Sequence, residues 1–229
     1  MTTAFPPIAI VGRACLLPGA SSPEELWRAV VSGQDLITPV PADRWGIAPE
    51  DVLCDGPADS VDRTWSDRGG YVRGFDDLFD PHGFALPAVE VAALDPVFRW
   101  TLHTARQALR DAGRADDDPA RFGAVFGNLS FPSAGMAAYT QATALAVVPG
   151  FRASAGADPA APDPRNRFSS GLPALLLERG LGLGAGAFAL DAACASSLYA
   201  VKLACDRLHD GAADLMLAGA VNCADDLCI

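Results

Sequence analysis

The 229-residue chain has no apolar run of about eighteen residues, the length that reads as a transmembrane helix. Its start, Met1-Thr-Thr-Ala-Phe-Pro-Pro, has neither a basic nor an apolar leader region, so no secretory signal is visible and a cytoplasmic location is expected. Cations are scarce: 17 Lys and Arg face 28 Asp and Glu, a formal net charge of −11. A field of that sign repels nucleic acid and anionic membrane, so neither is an expected partner. The six cysteines, Cys15, Cys54, Cys194, Cys205, Cys223 and Cys228, form no Cys-x-x-Cys pair. Their spacings suggest neither a zinc site nor a disulfide framework, and no metal is expected. Histidine is also rare, with only His82, His103 and His209.

What is present is a globular composition, 50% hydrophobic and 20% charged, able to bury a sizeable core. Short apolar runs alternate with helical patterns. Pro7-Ile-Ala-Ile-Val-Gly12, Phe122-Gly-Ala-Val-Phe-Gly127, Ala187-Phe-Ala-Leu190 and Leu215-Met-Leu-Ala-Gly-Ala-Val221 each read as a buried strand. Ser22-Pro-Glu-Glu has the cap, the first-position proline and the acidic third residue of a helix start, with an end expected near Gly33. Asp95-Pro96 opens a second helix, with apolar positions at Val97, Trp100, Ala105 and Leu109 and a stop at Gly113. Further helices are expected over about 168–180, closed by Gly180, and from Ala195 to Asp210. Strands apolar on both faces, separated by helices, predict an α/β fold with a mostly parallel sheet covered by helices on each side. Residues from about 35 to 85 are dense in Pro, Asp, Gly and Arg and read as a long irregular excursion, as does a loop over 146–166.

The chemistry-bearing segment is Asp191-Ala-Ala-Cys194-Ala-Ser-Ser-Leu198, between the third strand and its helix. Parallel sheets place ligands at the carboxyl ends of their strands, and a sharp strand-to-helix turn projects its central side chain. The small neighbours Ala192, Ala193 and Ala195 allow a close turn and leave room for a substrate. A helix starting here would aim N–H groups and partial positive charge at the sulfur, favouring the thiolate. Such a thiolate could attack a thioester carbonyl, with the helix start helping to hold the developing oxyanion. Asp191 suits a turn-fixing acceptor or an acid–base group. Ser196 and Ser197 suit capping or packing. Cys205 falls on a stripe with Leu198, Val201 and Leu208 and reads as core.

Asp-Ala-Ala-Cys-Ala-Ser-Ser-Leu resembles the nucleophile motif of β-ketoacyl synthases, usually Asp-Thr-Ala-Cys-Ser-Ser-Ser-Leu; Ala192 and Ala195 replace Thr and Ser. The variant looks like ketosynthases of polyunsaturated fatty acid, glycolipid and polyketide synthases. Ile8-Ala-Ile-Val-Gly12 with Pro18-Gly19, Glu25-Leu-Trp27, Gly33-x-Asp35, Leu94-Asp-Pro96-x-x-Arg99, Ala108-Leu-x-x-Ala-Gly113 and Gly211-x-x-Asp214 with Ala218-Gly-Ala220 resemble further family segments in order. The resemblance covers nearly all of the chain and implies a thiolase-like fold of two similar halves, of which residues 1–229 would be the N-terminal half.

The resemblance also implies an acyltransferase. Cys194 would take an acyl group from an acyl carrier protein, whose phosphopantetheine arm brings the thioester, and a malonyl unit would decarboxylate and condense with it. No other cofactor is implied. The family's two catalytic histidines lie in second-half motifs that this chain does not contain, so the chain is expected to be inactive alone. Expected partners are the carrier protein, the C-terminal half and a second copy in a homodimer. A bare apolar flank is expected where the second half docks. Arg63, Arg68 and Arg73 either meet the acidic carrier or are loop charges. A non-catalytic partner or truncated remnant stands as the alternative, and a thiolase or acyltransferase without decarboxylation would use the same cysteine.

Overall fold

The computed structural model describes residues 6–41, 44–45, 48–54, 63–129, 139, 142–143 and 171–222. The chain divides into two compact units, Met1–Arg13 with Asp80–Ala224, and Ala14–Phe79 with Asp225–Ile229.

The smaller unit begins with helix α1 (Pro23–Val31), capped by Ser22, whose hydroxyl accepts the Glu25 N–H at 3.2 Å. The Glu25 carboxylate reaches back to the N–H and hydroxyl of Ser21, both at 2.7 Å, and these bonds lower its pKa. Gly33, at φ 66°, closes the helix as expected. Among the described residues the region beyond it holds only small elements: strands β1 (Thr38–Pro39) and β2 (Arg68–Gly69), paired antiparallel, and the single turns α2 (Pro49–Val52) and α3 (Phe75–Leu78). Its arginines brace the backbone. Arg63 donates to Leu53 O, Arg68 to Ile37 O and to Asp35, and Arg73 to Pro39 O and Thr38 Oγ1. Each guanidinium satisfies carbonyls that irregular chain leaves unpaired.

The larger unit is built on a parallel sheet. Helix α4 (Ala88–Ala92) leads into α5 (Pro96–Asp111), where Asp95 caps the N–H of Val97 at 2.9 Å. Strand β3 (Phe122–Asn128) is buried at every position. It lies between β4 (Ala187–Leu190) and β5 (Leu215–Val221), in the order β4-β3-β5. Helix α6 (Leu172–Leu181) packs on α5, β3 and β4, and helix α7 (Ser196–His209) packs on β3 and β5. The two sets of helices cover opposite faces of the sheet, as the doubly apolar strands require. The loop expected over 146–166 lies outside the described residues.

Three expectations need correction. Among the described residues Pro7–Gly12 joins no ladder, and Ile10 is 85% exposed. A β-branched run records a tendency to pair, and pairing needs a free neighbouring edge in register. This segment is instead pinned at its end, where Arg13 N–H donates to Asp111 and Gly12 lies against the Ala108 carbonyl of α5. Gly180 does not stop its helix. It lies inside α6 against Leu102 of α5, where an added Cβ would come within 2.8 Å of Leu102 Cδ2. The helix closes at Gly182, at φ 67°. Third, the stripe of Leu198, Val201, Cys205 and Leu208 is not the core face of α7. Leu198 and Val201 are exposed, and Ala200 and Ala204 meet Val125 of the sheet instead. Close approach of helix to strand favours small residues along the line of contact, with Leu203 packed at its side.

His103 is buried in α5 near Arg106. Arg106 donates to the carbonyls of Asp80 and His82 at 2.7 Å and lies over the Phe84 ring at 4.2 Å. Burial, then the charges of Arg106 and Arg110, lower the His103 pKa. A depressed base pKa contributes stability that is complete above the unfolded value, about 6.5, and is lost as pH falls below it. Thermal melts across that range are expected to show an acid-side decline in Tm that His103→Gln flattens.

Candidate functional site

β4 ends at Leu190, and the chain turns through Asp191 and Ala192 into one 3₁₀ turn, Ala193–Ala195, before α7 begins at Ser196. Two side chains hold this turn. The Asp191 carboxylate accepts the Ala193 N–H at 2.9 Å. The buried Ser196 hydroxyl accepts the Ala192 N–H at 2.9 Å and donates to the Ala193 carbonyl at 2.7 Å. Ser197 is exposed and caps nothing at the helix start, where the N-cap residue Ala195 makes no side-chain bond.

Between these clamps Cys194 is a free, exposed thiol. Ala193 before it is exposed and sits at φ 49°, the positive-φ non-glycine residue among those described. A left-handed alanine costs about 1–2 kcal/mol, and the hydrogen bonds from both sides offset that strain. Ala195 after Cys194 is partly buried. The turn therefore presents a sulfur at the carboxyl end of a parallel sheet, on the threshold of a 14-residue helix.

Sequence reasoning missed the floor of this turn. Gly127, near the end of β3, lies directly beneath Ser196: an added Cβ would fall 2.6 Å from Ser196 Cβ and 2.9 Å from its carbonyl carbon. The signal was a glycine inside a strand, which often marks a close backbone approach.

Residues 6–226 match the family described as Beta-ketoacyl synthase, N-terminal domain. The chain belongs to this family. It is 34% identical over 220 residues to a mycocerosic acid synthase-like polyketide synthase of Mycobacterium tuberculosis, covering 96% of this chain and 10% of that protein. Among solved structures, the PfaC keto synthase-chain length factor superposes with a TM-score of 0.83 at 35% identity, covering 96% of this chain and 24% of that one. An oxazolomycin ketosynthase domain from Streptomyces albus follows with a TM-score of 0.67 at 28% identity, covering 92% and 33%. The fold is the N-terminal half of a thiolase-like ketosynthase, and the chain spans a small part of the relatives it matches.

The ketosynthase chain's histidines are not gathered at the turn. His209 ends α7, about 20 Å along the helix from its start at 1.5 Å per residue. Its Nε2 lies 3.0 Å from Pro6 O. His82 is exposed beside Asp80, and His103 is buried in α5. Cys205 is a free, partly buried thiol, and Cys223 and Cys228 lie outside the described residues. Among the described residues no three His, Cys, Asp or Glu cluster as metal ligands, and no helix is long and apolar enough to cross a membrane.

Ser196→Ala removes both bonds that the hydroxyl makes to the turn. It is expected to lower stability by about 1–3 kcal/mol in denaturant titration, because the Ala192 N–H loses its acceptor.

Proposed function

We propose that Cys194 is the acyl-accepting nucleophile of a decarboxylative condensing enzyme of fatty acid or polyketide synthesis. The observation that carries this reading is the exposure of Cys194 on a turn whose flanking residues are clamped by Asp191 and Ser196. The thiolate forms a bond to the acyl carbonyl carbon of a carrier-protein thioester. The carrier's C–S bond breaks, and the phosphopantetheine thiolate leaves and takes up the proton given by Cys194. The exposed Ala193 and half-buried Ala195 leave space beside the sulfur for the acyl chain. The helix start behind them supplies partial positive charge where the oxyanion develops. A carrier-bound malonyl unit then loses carbon dioxide, and its carbanion displaces Cys194 to give a β-ketoacyl thioester. The phosphopantetheine is part of the incoming substrate.

The second step needs groups beyond these 229 residues. With His82, His103 and His209 engaged elsewhere, decarboxylation falls to histidines of the family's second half. The exposed stripe of Leu198, Tyr199 and Val201 on α7 supports the docking of that half here. Among the described residues β4 is one of the two outer strands of the sheet and leads directly to Cys194, which suits pairing with a second copy across that edge. A non-catalytic partner chain is disfavoured by the retained cysteine.

Incubation with an acyl-carrier thioester, followed by peptide mass spectrometry, is expected to place the acyl mass on Cys194 and to find none in Cys194→Ala. Acylation of another cysteine, or of none, overturns the reading. The isolated 229-residue chain is expected to stop at the acyl-enzyme and to form β-keto product only with a chain carrying the second half. Product from the isolated chain would remove the need for that half.

A further inference from the structure

We propose that Gly127 is a positioning residue for Cys194: the hydrogen in place of a side chain lets the start of α7 seat on β3 and so fixes where the sulfur stands. This inference rests on the acyl-acceptor reading of Cys194 and adds a residue from a different strand to its machinery.

The contact is made by the Cβ and the backbone carbonyl group of Ser196. A Cβ on Gly127 would lie 2.6 Å from Ser196 Cβ, 2.9 Å from Ser196 C and 3.1 Å from Ser196 O. The carbonyl group cannot rotate aside as the tip of a long side chain can. The same Ser196 holds Ala192 and Ala193 through its hydroxyl. A push on Ser196 is therefore transmitted to both residues preceding Cys194. The pairing of β3 with β4, Gly127 opposite Leu190, fixes the strand side of this contact. Leu190 adjoins Asp191, so β3 supports the turn at its entry and at its exit.

Other strand glycines lack this link to the turn. Gly123, on the same face of β3, would meet the Met216 sulfur at 2.7 Å and Gly186 O at 3.0 Å. Gly219 of β5 would meet the Phe126 ring at 3.2 Å. None of these neighbours is part of the nucleophile turn, so a methyl group at those sites tests packing alone.

A methyl group at position 127 must displace the helix start, and a misplacement of about 1 Å at a reacting group can cost roughly 100-fold in rate. The test uses the whole 229-residue chain with Gly127→Ala, and Gly123→Ala as the packing control. Single-turnover acylation by an acyl-carrier thioester separates the maximal rate from the half-saturating concentration. In Gly127→Ala the maximal rate is expected to fall by roughly 10- to 100-fold. Half-saturation is expected to stay near that of the parent chain, as is alkylation of Cys194 by iodoacetamide, which needs only an accessible thiol. Hydrogen exchange at the Ala192 and Ala193 amides is expected to accelerate, with the α5 amides unchanged. Gly123→Ala is expected to acylate at the parent rate.

Parent-like acylation and exchange in Gly127→Ala overturn the proposal and leave the acyl-acceptor reading standing. If the parent chain itself is not acylated, that reading falls. The exchange measurement then decides the positioning claim, with selective acceleration supporting it and unchanged or uniform exchange overturning it. Where Gly127→Ala does not fold, Ser196→Ala tests the link through which Gly127 acts, since it keeps the Cβ and removes the hydroxyl bonds to Ala192 and Ala193. Slowed acylation with faster exchange at those two amides supports the proposal, and parent-like values overturn it.

Discussion

At the carboxyl end of β3 the chain passes so close under the first residue of α7 that only a hydrogen fits between Gly127 and Ser196. Much of the site follows from that approach. It brings the start of a long helix down onto a fully buried strand and sets the height of the turn from β4. It also gives the Ser196 hydroxyl its position under Ala192 and Ala193. Dense packing makes such a contact discrete: atoms in an interior packed to crystal density have no continuous range of adjustment.

The same approach explains the distribution of side chains on α7. A helix lying close to a sheet favours small residues along the line of contact, and Ala200 and Ala204 occupy that line against Val125, with the partly buried Leu203 packed beside them. The larger Leu198, Tyr199 and Val201 are turned outward and remain uncovered. One face of a single helix thus seats the turn that carries Cys194, and the other presents an apolar surface beside it. Pro7–Gly12, apolar and unpaired, adds a second stretch whose hydrophobicity the described residues do not absorb.

Strain at Ala193 belongs to the same economy of contacts. A left-handed alanine persists only where its surroundings over-determine it. Here Asp191 takes its N–H, and Ser196 takes its carbonyl. The exposed Cys194 is therefore carried on backbone that is held from both sides. Departures from the usual motif at Ala192 and Ala195 leave these clamps untouched, because both act through backbone groups that any residue supplies.

The sequence by itself determined the alternation of strands and helices, the start and cap of α1 and α5, the strand-turn-helix setting of Cys194, and the family. These are local matters: a cap, a period or an octapeptide motif is written in contiguous residues. Tertiary structure alone decided which apolar runs found partners. Pro7–Gly12 has the composition of a strand and no ladder, because pairing depends on an edge supplied from elsewhere in the chain. Leu198 and Val201 have helical spacing and face outward, since the inner face was chosen by the closeness of β3. Gly180 had the look of a stop and serves instead as a contact with Leu102. Gly127 and Ser196, 69 positions apart in the sequence, became neighbours only when the sheet was assembled, and a contact between distant residues has no local signature to read.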